Sequence, residues 1–571
     1  VLTETSVEPD STYKAIQDSL AQVMLSSRFG IFSDASHGIL DTIVLENSKI
    51  QIRVATKGAS PASVWLKEYK QYSPEGNGAD LLLFDPDSNN FEYAFNANGK
   101  EISSAELFFK PVGINTSMEL TLRAEATEGR YIELHYQLEE DSYMVQHELR
   151  VVGLENEINP SNIALNWKTS GLANEKHLET ERRACSVYYK YFNDSRDYLS
   201  EAEADLEKLE GKTNWVAFKQ DFFTLAMISD AGFSGNGSEI EIIPSTDTTH
   251  TKAYRARLYF DERAGSSVSI PMRFYMGPNH YQTLAATEVA EFDKVMDLGW
   301  GIFGTMNKWL VIPLFNWLSG FNWSYGIIIL VLTLLIKLLL FPLTFKNYKS
   351  SAKMRVLKPQ IDELTAKFKD KDPMKKQQAT MDLYRKTGVN PAAGCLPMLI
   401  QMPILYAMFR FFPSSIELRQ QSFLWAEDLS SYDSIFDFPG GFEIPFYGDH
   451  VSLFTLLMAI STIAYTQMNS SQMPTQAGMP NMKVMMWMFP IMMLFFLNNY
   501  SSGLSYYYLL ANIISMGQMF LIKKVLIDEE KILVALEQNK KKKPKKKSRW
   551  MQKMEEIQKQ QEAQSRKRGR K

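Results

Sequence analysis

The sequence predicts an α+β membrane protein: an extramembrane β-supersandwich, then an amphipathic interfacial helix, then a five-helix transmembrane core carrying a cytoplasmic helical hairpin. Three observations predict it. Hydrophobic alternation of period two fills the first half, apolar runs long enough to cross a bilayer fill the second, and charge is segregated between the halves. Residues 1–300 hold 27 Lys+Arg against 46 Asp+Glu, whereas residues 301–571 hold 35 against 19. An acidic half joined to a basic, apolar half implies two compartments and two kinds of partner. Cys185 and Cys395 supply neither a disulfide framework nor zinc spacing. No phosphate loop, nucleophile elbow or metal-ligand cluster appears, so no catalytic residue, cofactor or metal is expected.

Residues 1–38 are polar and punctuated, and are expected to form a poorly ordered lead-in. The first 40 residues contain no signal-peptide apolar core and start at Val1, so the expectation is a processed amino terminus or a targeting segment upstream. Residues 39–292 are expected to be the β-sandwich. Ile50, Ile52 and Val54 alternate with polar neighbours, as do Ile132, Leu134, Tyr136 and Leu138, then Val145, His147, Leu149 and Val151. Val268, Ile270, Met272, Phe274 and Met276 close the series, and turn signals such as Glu75-Gly76-Asn77-Gly78 separate the strands. A helical insert is expected near Tyr198–Lys212, rich in Glu, Ala, Leu and Lys. His135 and His147 fall on neighbouring strands, but His147 shares the apolar phase of its strand and His135 the opposite phase. They are not expected to converge on a site.

Residues 296–321 contain Trp300, Trp309 and Trp317 with Pro313 between them, which favours a helix lying in the headgroup region. The run that follows, Tyr325 to Phe345, is apolar apart from Lys337, with Thr333 one turn earlier on the same face. Spans are expected at about 323–345, 394–412, 450–468, 482–499 and 503–522, within a core of residues 322–523. The segment 346–393 carries twelve basic and five acidic residues, and 413–449 carries one and seven. Residues 469–481 are uncharged, and the tail from Lys523 carries eighteen basic and seven acidic residues. Basic segments stay cytoplasmic, which puts the β domain and the acidic loop outside and the tail inside.

The first basic segment is expected to form a helical hairpin over 348–387. Met354, Leu357, Ile361, Leu364 and Phe368 make one apolar helical face; Asp372-Pro373 starts a second helix with Met374, Met381 and Tyr384 on its apolar side, and Gly388 ends it. The polar residues of the spans gather at one depth. Lys337, Thr333, Gln401 and Gln467 lie towards the inner side, and Asn512, Ser515 and Gln518 occupy the middle and inner half of the last span. Hydrogen bonding between helices accounts for the neutral residues, but a net charge such as Lys337 points to a hydrated cavity open to the cytoplasm. The tail, 524–571, with Lys540–Lys543, Lys545–Lys547 and Arg566-Lys567-Arg568, is expected to be disordered and to seek polyanions, either ribosomal RNA or anionic lipid. Few aromatics interleave it, so base reading and a DNA partner are not expected.

The stretches LLFPLTFKNYKSSAKMRVLKPQI (339–361), GVNPAAGCLPMLIQMPILYAMF (388–409), SIELRQQSFLWAEDLS (415–430) and SSGLSYYYLLANI (501–513) resemble the YidC family of membrane protein insertases. The resemblance implies a periplasmic sandwich, the bacterial inner membrane, and an uncleaved first helix that is absent from a chain trimmed at Val1. It further implies a positively charged groove that inserts and chaperones nascent membrane proteins, alone or with the Sec translocon. By motif position Lys337 takes the place of the family's essential positive residue, often arginine, and Thr333 that of the threonine a turn before it. Tyr507 and Tyr508 match tyrosines that face the groove, and Met402 and Leu405 match the greasy contacts along which a substrate helix slides. The hairpin matches a cytoplasmic hairpin required for insertion, and the tail resembles a ribosome-contacting extension. Two readings from other classes stand beside it: a small-molecule or ion transporter, which should show internal repeats or paired broken helices, and a membrane-tethered sugar-binding or sugar-active protein working through the β domain.

Overall fold

The computed structural model describes residues 20, 22–76, 78–154, 156–261, 267–367, 373–389, 396–470 and 482–540. Phe368, Asp372, residues 390–395 and the tail beyond residue 540 therefore lie outside the described residues, as does the side chain of Met374. The chain divides into two compact units, Val1–Asp297 with Ser414–Glu417, and Leu298–Pro413 with Leu418–Lys571.

The first unit is β-rich. Thr42–Glu46, Ile50–Ala55, Pro61–Lys70 and Asp80–Leu82 pair antiparallel in a four-stranded sheet. A fourteen-stranded sheet carries the rest. Its spine pairs Asn90–Ala97, Ala164–Leu172, His250–Phe260, Phe223–Pro244, Ser267–Pro278, Met144–Val152, Arg130–Leu138 and Glu119–Thr127 in that order, each antiparallel to the next. Alternation decides what is inside: Ile50, Ile52 and Val54 are buried, while Arg53 between the last two is exposed. Trp167, Trp215, Tyr93, Tyr136 and Phe91 supply the largest fully buried or nearly buried rings.

His147 pairs with Tyr136 and Glu148 with His135, so the two histidines project from opposite faces of the sheet. His147 is buried among rings, its Nε2 2.8 Å from the Tyr93 hydroxyl, while His135 Nδ1 lies 2.9 Å from Thr121 Oγ1.

Two expectations for this unit are corrected. The helix expected near Tyr198–Lys212 does not form; Arg196–Tyr198 and Asp205–Lys208 are strands, paired with Ser186–Tyr191 and with the long strand Phe223–Pro244. Helix propensity is a weak local preference, and two available strand edges outweigh it. The lead-in is also partly built. Residues 22–29 are helical, short 3₁₀ turns follow at Gly30–Phe32 and Asp34–Ser36, and Phe29 and Phe32 are buried, Phe32 edge-on to Phe95.

The second unit is helical: α1 (Ile302–Met306), α2 (Ile312–Ser319), α3 (Tyr325–Leu339), α4 (Phe341–Val356), α5 (Lys358–Lys367), α6 (Pro373–Thr387), α7 (Leu396–Ser414), α8 (Leu453–Ser470), α9 (Met482–Leu497), α10 (Ser502–Leu521) and α11 (Glu529–Lys540). A π turn, Asn307–Val311, joins α1 to α2, and Pro313 sits in the first turn of α2, where its missing N–H is harmless. Val311, Ile312, Phe315 and Leu318 are buried, while Trp300, Trp309 and Trp317 are exposed.

The span expected over 323–345 is bent near its end. The chain bends by 58° between α3 and α4. Pro342 has no N–H to give to the carbonyl of Leu338 and seeds the first turn of α4 instead. Ser502–Leu526 is long and apolar enough to cross a membrane, and α3 with α4 passes the same test only as a bent pair.

Met354, Leu357 and Ile361 of the first hairpin limb pack with Leu383, Tyr384 and Val389 after the turn, and Leu364 and Met381 lie against the same cluster. Gly388 (φ 73°) ends α6 in the left-handed region that glycine adopts freely. The tail does not start as a disordered segment. It forms α11, whose Ile532 and Leu536 are buried in that same hairpin cluster. Two apolar residues one turn apart were outvoted in the sequence by the surrounding charge.

Candidate functional site

The site is built on α3. Apart from Thr333 and Lys337 the helix is apolar, and only one of its faces is buried within the unit: Gly326, Ile328, Ile329, Leu332, Thr333, Ile336 and Lys337. Ile327, Leu330, Leu334 and Leu338 are left exposed on the other side. Lys337 is therefore on the protein-facing stripe and only 7% exposed. Its ammonium donates to Ser515 Oγ on α10 at 2.9 Å and to Gln401 Oε1 on α7 at 3.4 Å. An ammonium carries three donors. Among the described residues its two side-chain partners are thus neutral, and no carboxylate pairs with it.

Of the surrounding polar groups, Ser515 and Thr333 are held by their own helices and Gln518 by a neighbouring one. Ser515 Oγ donates to the carbonyl of Ala511 at 2.6 Å, which turns its lone pairs towards Lys337. Gln518 Nε2 donates to the backbone carbonyl of Lys337 at 3.1 Å. That carbonyl belongs to the last turn of α3, where carbonyls lack their usual intrahelical partners. Thr333 is fully buried one turn earlier and donates to the carbonyl of Ile329 at 2.6 Å, so it shares the stripe without touching the ammonium.

The structure thus brings Lys337, Gln401, Ser515 and Gln518 together where α3, α7 and α10 meet. The other candidates sit elsewhere. Asn512 Nδ2 donates to Ser461 Oγ at 3.0 Å and Thr462 Oγ1 at 2.8 Å on α8, an interhelical lock. Tyr508 donates to the carbonyl of Leu405 at 3.3 Å, tying α10 to α7. Tyr507 is wholly buried, edge-on to Tyr508 and tilted against Phe412, and among the described residues its hydroxyl has no hydrogen-bond partner. Met402 is 47% exposed, Leu405 is half-buried, and Gln467 is exposed near the end of α8.

Sequence reasoning did not anticipate a second polar cluster at the opposite ends of α8, α9 and α10. Asp433 accepts from Ser452 Oγ at 2.5 Å, from the Phe454 N–H at 3.0 Å and from Trp425 Nε1 at 2.8 Å, capping α8. Asn498 accepts from the Ser452 N–H and donates to the carbonyls of Tyr447 and His450. Ser501 and Ser502 at the start of α10 donate to the carbonyls of Leu429 and Asp428. Trp425, Asp428, Leu429, Ser501 and Ser502 fall in two of the stretches quoted above, but Asp433 and Asn498 do not, and which of these groups meet is shown only by the fold. Among the described residues no group of acidic, histidine and cysteine side chains is arranged to hold a metal.

Comparison with known proteins adds a second line. The family model described as the YidC periplasmic domain matches residues 42–316, and that of the 60Kd inner membrane protein matches residues 317–530. The membrane protein insertase YidC of Parabacteroides distasonis is 40% identical over 528 residues, 90% of this chain and 82% of that one. Its counterpart in Phocaeicola vulgatus is 39% identical over 508 residues, covering 86% and 80%, and that of Porphyromonas gingivalis 37% over 577 residues, covering 97% and 90%. Among solved structures, an active YidC insertase crystal structure with the first transmembrane domain resolved aligns at a TM-score of 0.32 and 17% identity, over 88% of this chain and 98% of that one.

Proposed function

Because this chain belongs to the YidC family of membrane protein insertases, we propose that it inserts and helps fold nascent membrane proteins at the bacterial inner membrane through a hydrophilic groove centred on Lys337. The observation that carries this reading is a buried ammonium with two neutral acceptors and, among the described residues, no counter-ion. A charge within a span costs roughly 2.5–3.5 kcal/mol on insertion scales, so an unpaired one signals function rather than packing. In this reading the third donor of the ammonium is met by water from the cytoplasmic side, or by an acidic group of the arriving segment.

The mechanism uses neither nucleotide nor covalent chemistry. A polar, often acidic, portion of the substrate enters the groove, attracted by Lys337, and its half-burial there lowers the barrier to crossing. Attraction between opposite charges a few ångströms apart is several-fold stronger in a partly dry site than in water. The apolar portion then leaves along Met402 and Leu405 into lipid, and burial of its surface drives the step. Lysine keeps the charge but lacks the planar fork of the arginine common in the family, so the attraction is that of a point charge rather than a bidentate grip.

In this reading five spans, formed by α3 with the start of α4 and by α7 to α10, put the β-rich unit in the periplasm and the hairpin and tail in the cytoplasm. The excess of basic residues in 346–393 and beyond 523 supports that orientation. The basic hairpin and tail suit the ribosome and anionic lipid as partners, and the Sec translocon is a further one for clients that need it. Neither the transporter nor the sugar-active alternative is favoured, since insertases match over most of both lengths.

The test replaces Lys337 in the full-length protein and follows insertion of a single-span substrate with an acidic leader. Lys337→Ala and Lys337→Glu are expected to slow insertion about tenfold or more, about 1.4 kcal/mol on the barrier, with Glu the worse. Normal insertion by a stably expressed Lys337→Glu protein would sink the charge role.

A further inference from the structure

The loop between α7 and α8 carries an aromatic ridge that the described residues leave uncovered. Ile435, Phe436 and Phe442 are each more than half exposed, and Phe446 is 90% exposed. The rings form a chain, with Phe438 edge-on to Phe436 at 5.8 Å and to Phe442 at 6.0 Å between centroids. Phe446 stands at the apex of a closed turn. The Ile444 N–H donates to the Gly448 carbonyl at 3.0 Å, and the N–H groups of Tyr447 and Gly448 donate to the Ile444 carbonyl at 3.0 and 2.9 Å. The φ of Phe446 is 66°, a left-handed conformation that is costly for a residue with a bulky side chain. The turn holds the ring outward at that cost.

The ridge is fixed to the end of α9. The Tyr447 ring packs edge-on to Phe495 at 5.4 Å, and Asn498 Nδ2 donates to the carbonyls of Tyr447 and His450, each at 2.9 Å. A Cβ at Gly448 would stand 2.4 Å from Asn499 Oδ1, so the turn sits directly on the residues that follow the helix. On α9 itself Met488, Met492, Phe495 and Phe496 recur at helical spacing and are exposed, the stripe that a span presents to lipid. Phe495 belongs both to that stripe and to the joint with Tyr447, so the ridge continues a lipid-facing surface past the helix end. Large exposed apolar patches mark protein or membrane contacts, and this continuity selects the membrane. Charge then selects the lipid. Residues 420–449 hold six acidic and no basic residues, Asp437 and Glu443 within the ridge, and an anionic surface repels such a segment.

We propose that the ridge of residues 435–446 is seated in the outer leaflet, against zwitterionic phospholipid, as a membrane anchor for the polar cluster of Asp433, Ser452 and Asn498. The strand Phe436–Asp437 pairs with His450–Val451, and α8 starts at Leu453, so an anchored ridge also sets the depth at which α8 enters the bilayer. The inference rests on the five-span reading, which places this loop outside.

The experiment uses the full chain with Cys395→Ser, Cys185 being buried, in nanodiscs of zwitterionic lipid. An environment-sensitive fluorophore is attached at Phe446→Cys, at Phe442→Cys or, to report on α9, at Met488→Cys. Interfacial elements bury their apolar side about 5–10 Å into the headgroup and acyl boundary. Lipid carrying a nitroxide at that depth is therefore expected to quench the 446 and 442 labels by about half or more, and aqueous iodide to quench them about threefold less than the free fluorophore. Replacing about half of the lipid by an anionic one should cut the nitroxide quenching about twofold at low salt. Labels open to iodide and untouched by nitroxide overturn the proposal, as do labels shielded from both, which would mean that protein covers the ridge. Quenching indifferent to anionic lipid overturns the zwitterionic assignment. Absence of nitroxide quenching at Met488→Cys, with acyl-chain nitroxides of any depth, overturns instead the reading of α9 as a span.

Discussion

Lys337 is held by groups that other residues orient, so its neighbours are the sharper probes. Ser515→Ala removes the nearer acceptor, at 2.9 Å, and leaves a buried charge with one protein partner. The expected cost is about 1–3 kcal/mol, read as a lower unfolding temperature in detergent, while Ser515→Thr, which keeps the hydroxyl, should recover most of it. In the β-rich unit, His147 is buried among rings, and burial pushes its pKa from 6.5 down to about 3. The folded state then refuses a proton that the unfolded chain accepts. The unit's stability is full above pH 6.5 and falls as pH drops from there towards 3. His147→Phe should flatten that slope in thermal unfolding of the full chain between pH 7.5 and pH 4.5. A slope of unchanged steepness would place the acid sensitivity elsewhere.

The bend after α3 is the element on which the site depends, because it ends the apolar helix one turn past Lys337 and frees the carbonyl that Gln518 takes. Pro342 was visible in the sequence, but its consequence was not. A proline in an apolar run is read equally as a tolerated kink or an end, and the angle depends on what the next helix packs against. The opposite end of α3 is set by close approach. A Cβ at Gly326 would stand 2.1 Å from the Phe423 ring, so Gly326→Ala is expected to destabilise that end by about 1–3 kcal/mol through overpacking. Phe423→Leu in the same chain should relieve most of the loss, a coupling that thermal unfolding of the two single variants and the double variant would expose. The hairpin limbs were legible because five apolar residues recur at helical spacing. Helix α11 was not, because its apolar run, Ile532–Leu536, is only five residues long and flanked by Glu529, Glu530, Lys531 and Glu537, and only the groove that Ile532 and Leu536 fill picks them out.

At the scale of the whole molecule, two units of opposite charge carry different burdens. The insertion chemistry proposed here lies wholly in residues 298–540, so a chain lacking residues 1–290 behind a suitable leader is expected to retain most insertion of a single-span substrate. Complete loss, with the truncated protein present in the membrane, would return the β-rich unit to the centre of function. The sequence by itself determined which strand residues of the β-rich unit are buried, since burial follows the period of the apolar residues, and it singled out Lys337, since a charge in an apolar run has few innocent explanations. Tertiary structure alone decided which polar groups surround that charge, how the chain turns at Leu340, and what closes the hairpin. Those outcomes depend on contacts between residues as much as 181 positions apart, and no local pattern encodes the partner of a side chain that far along the chain.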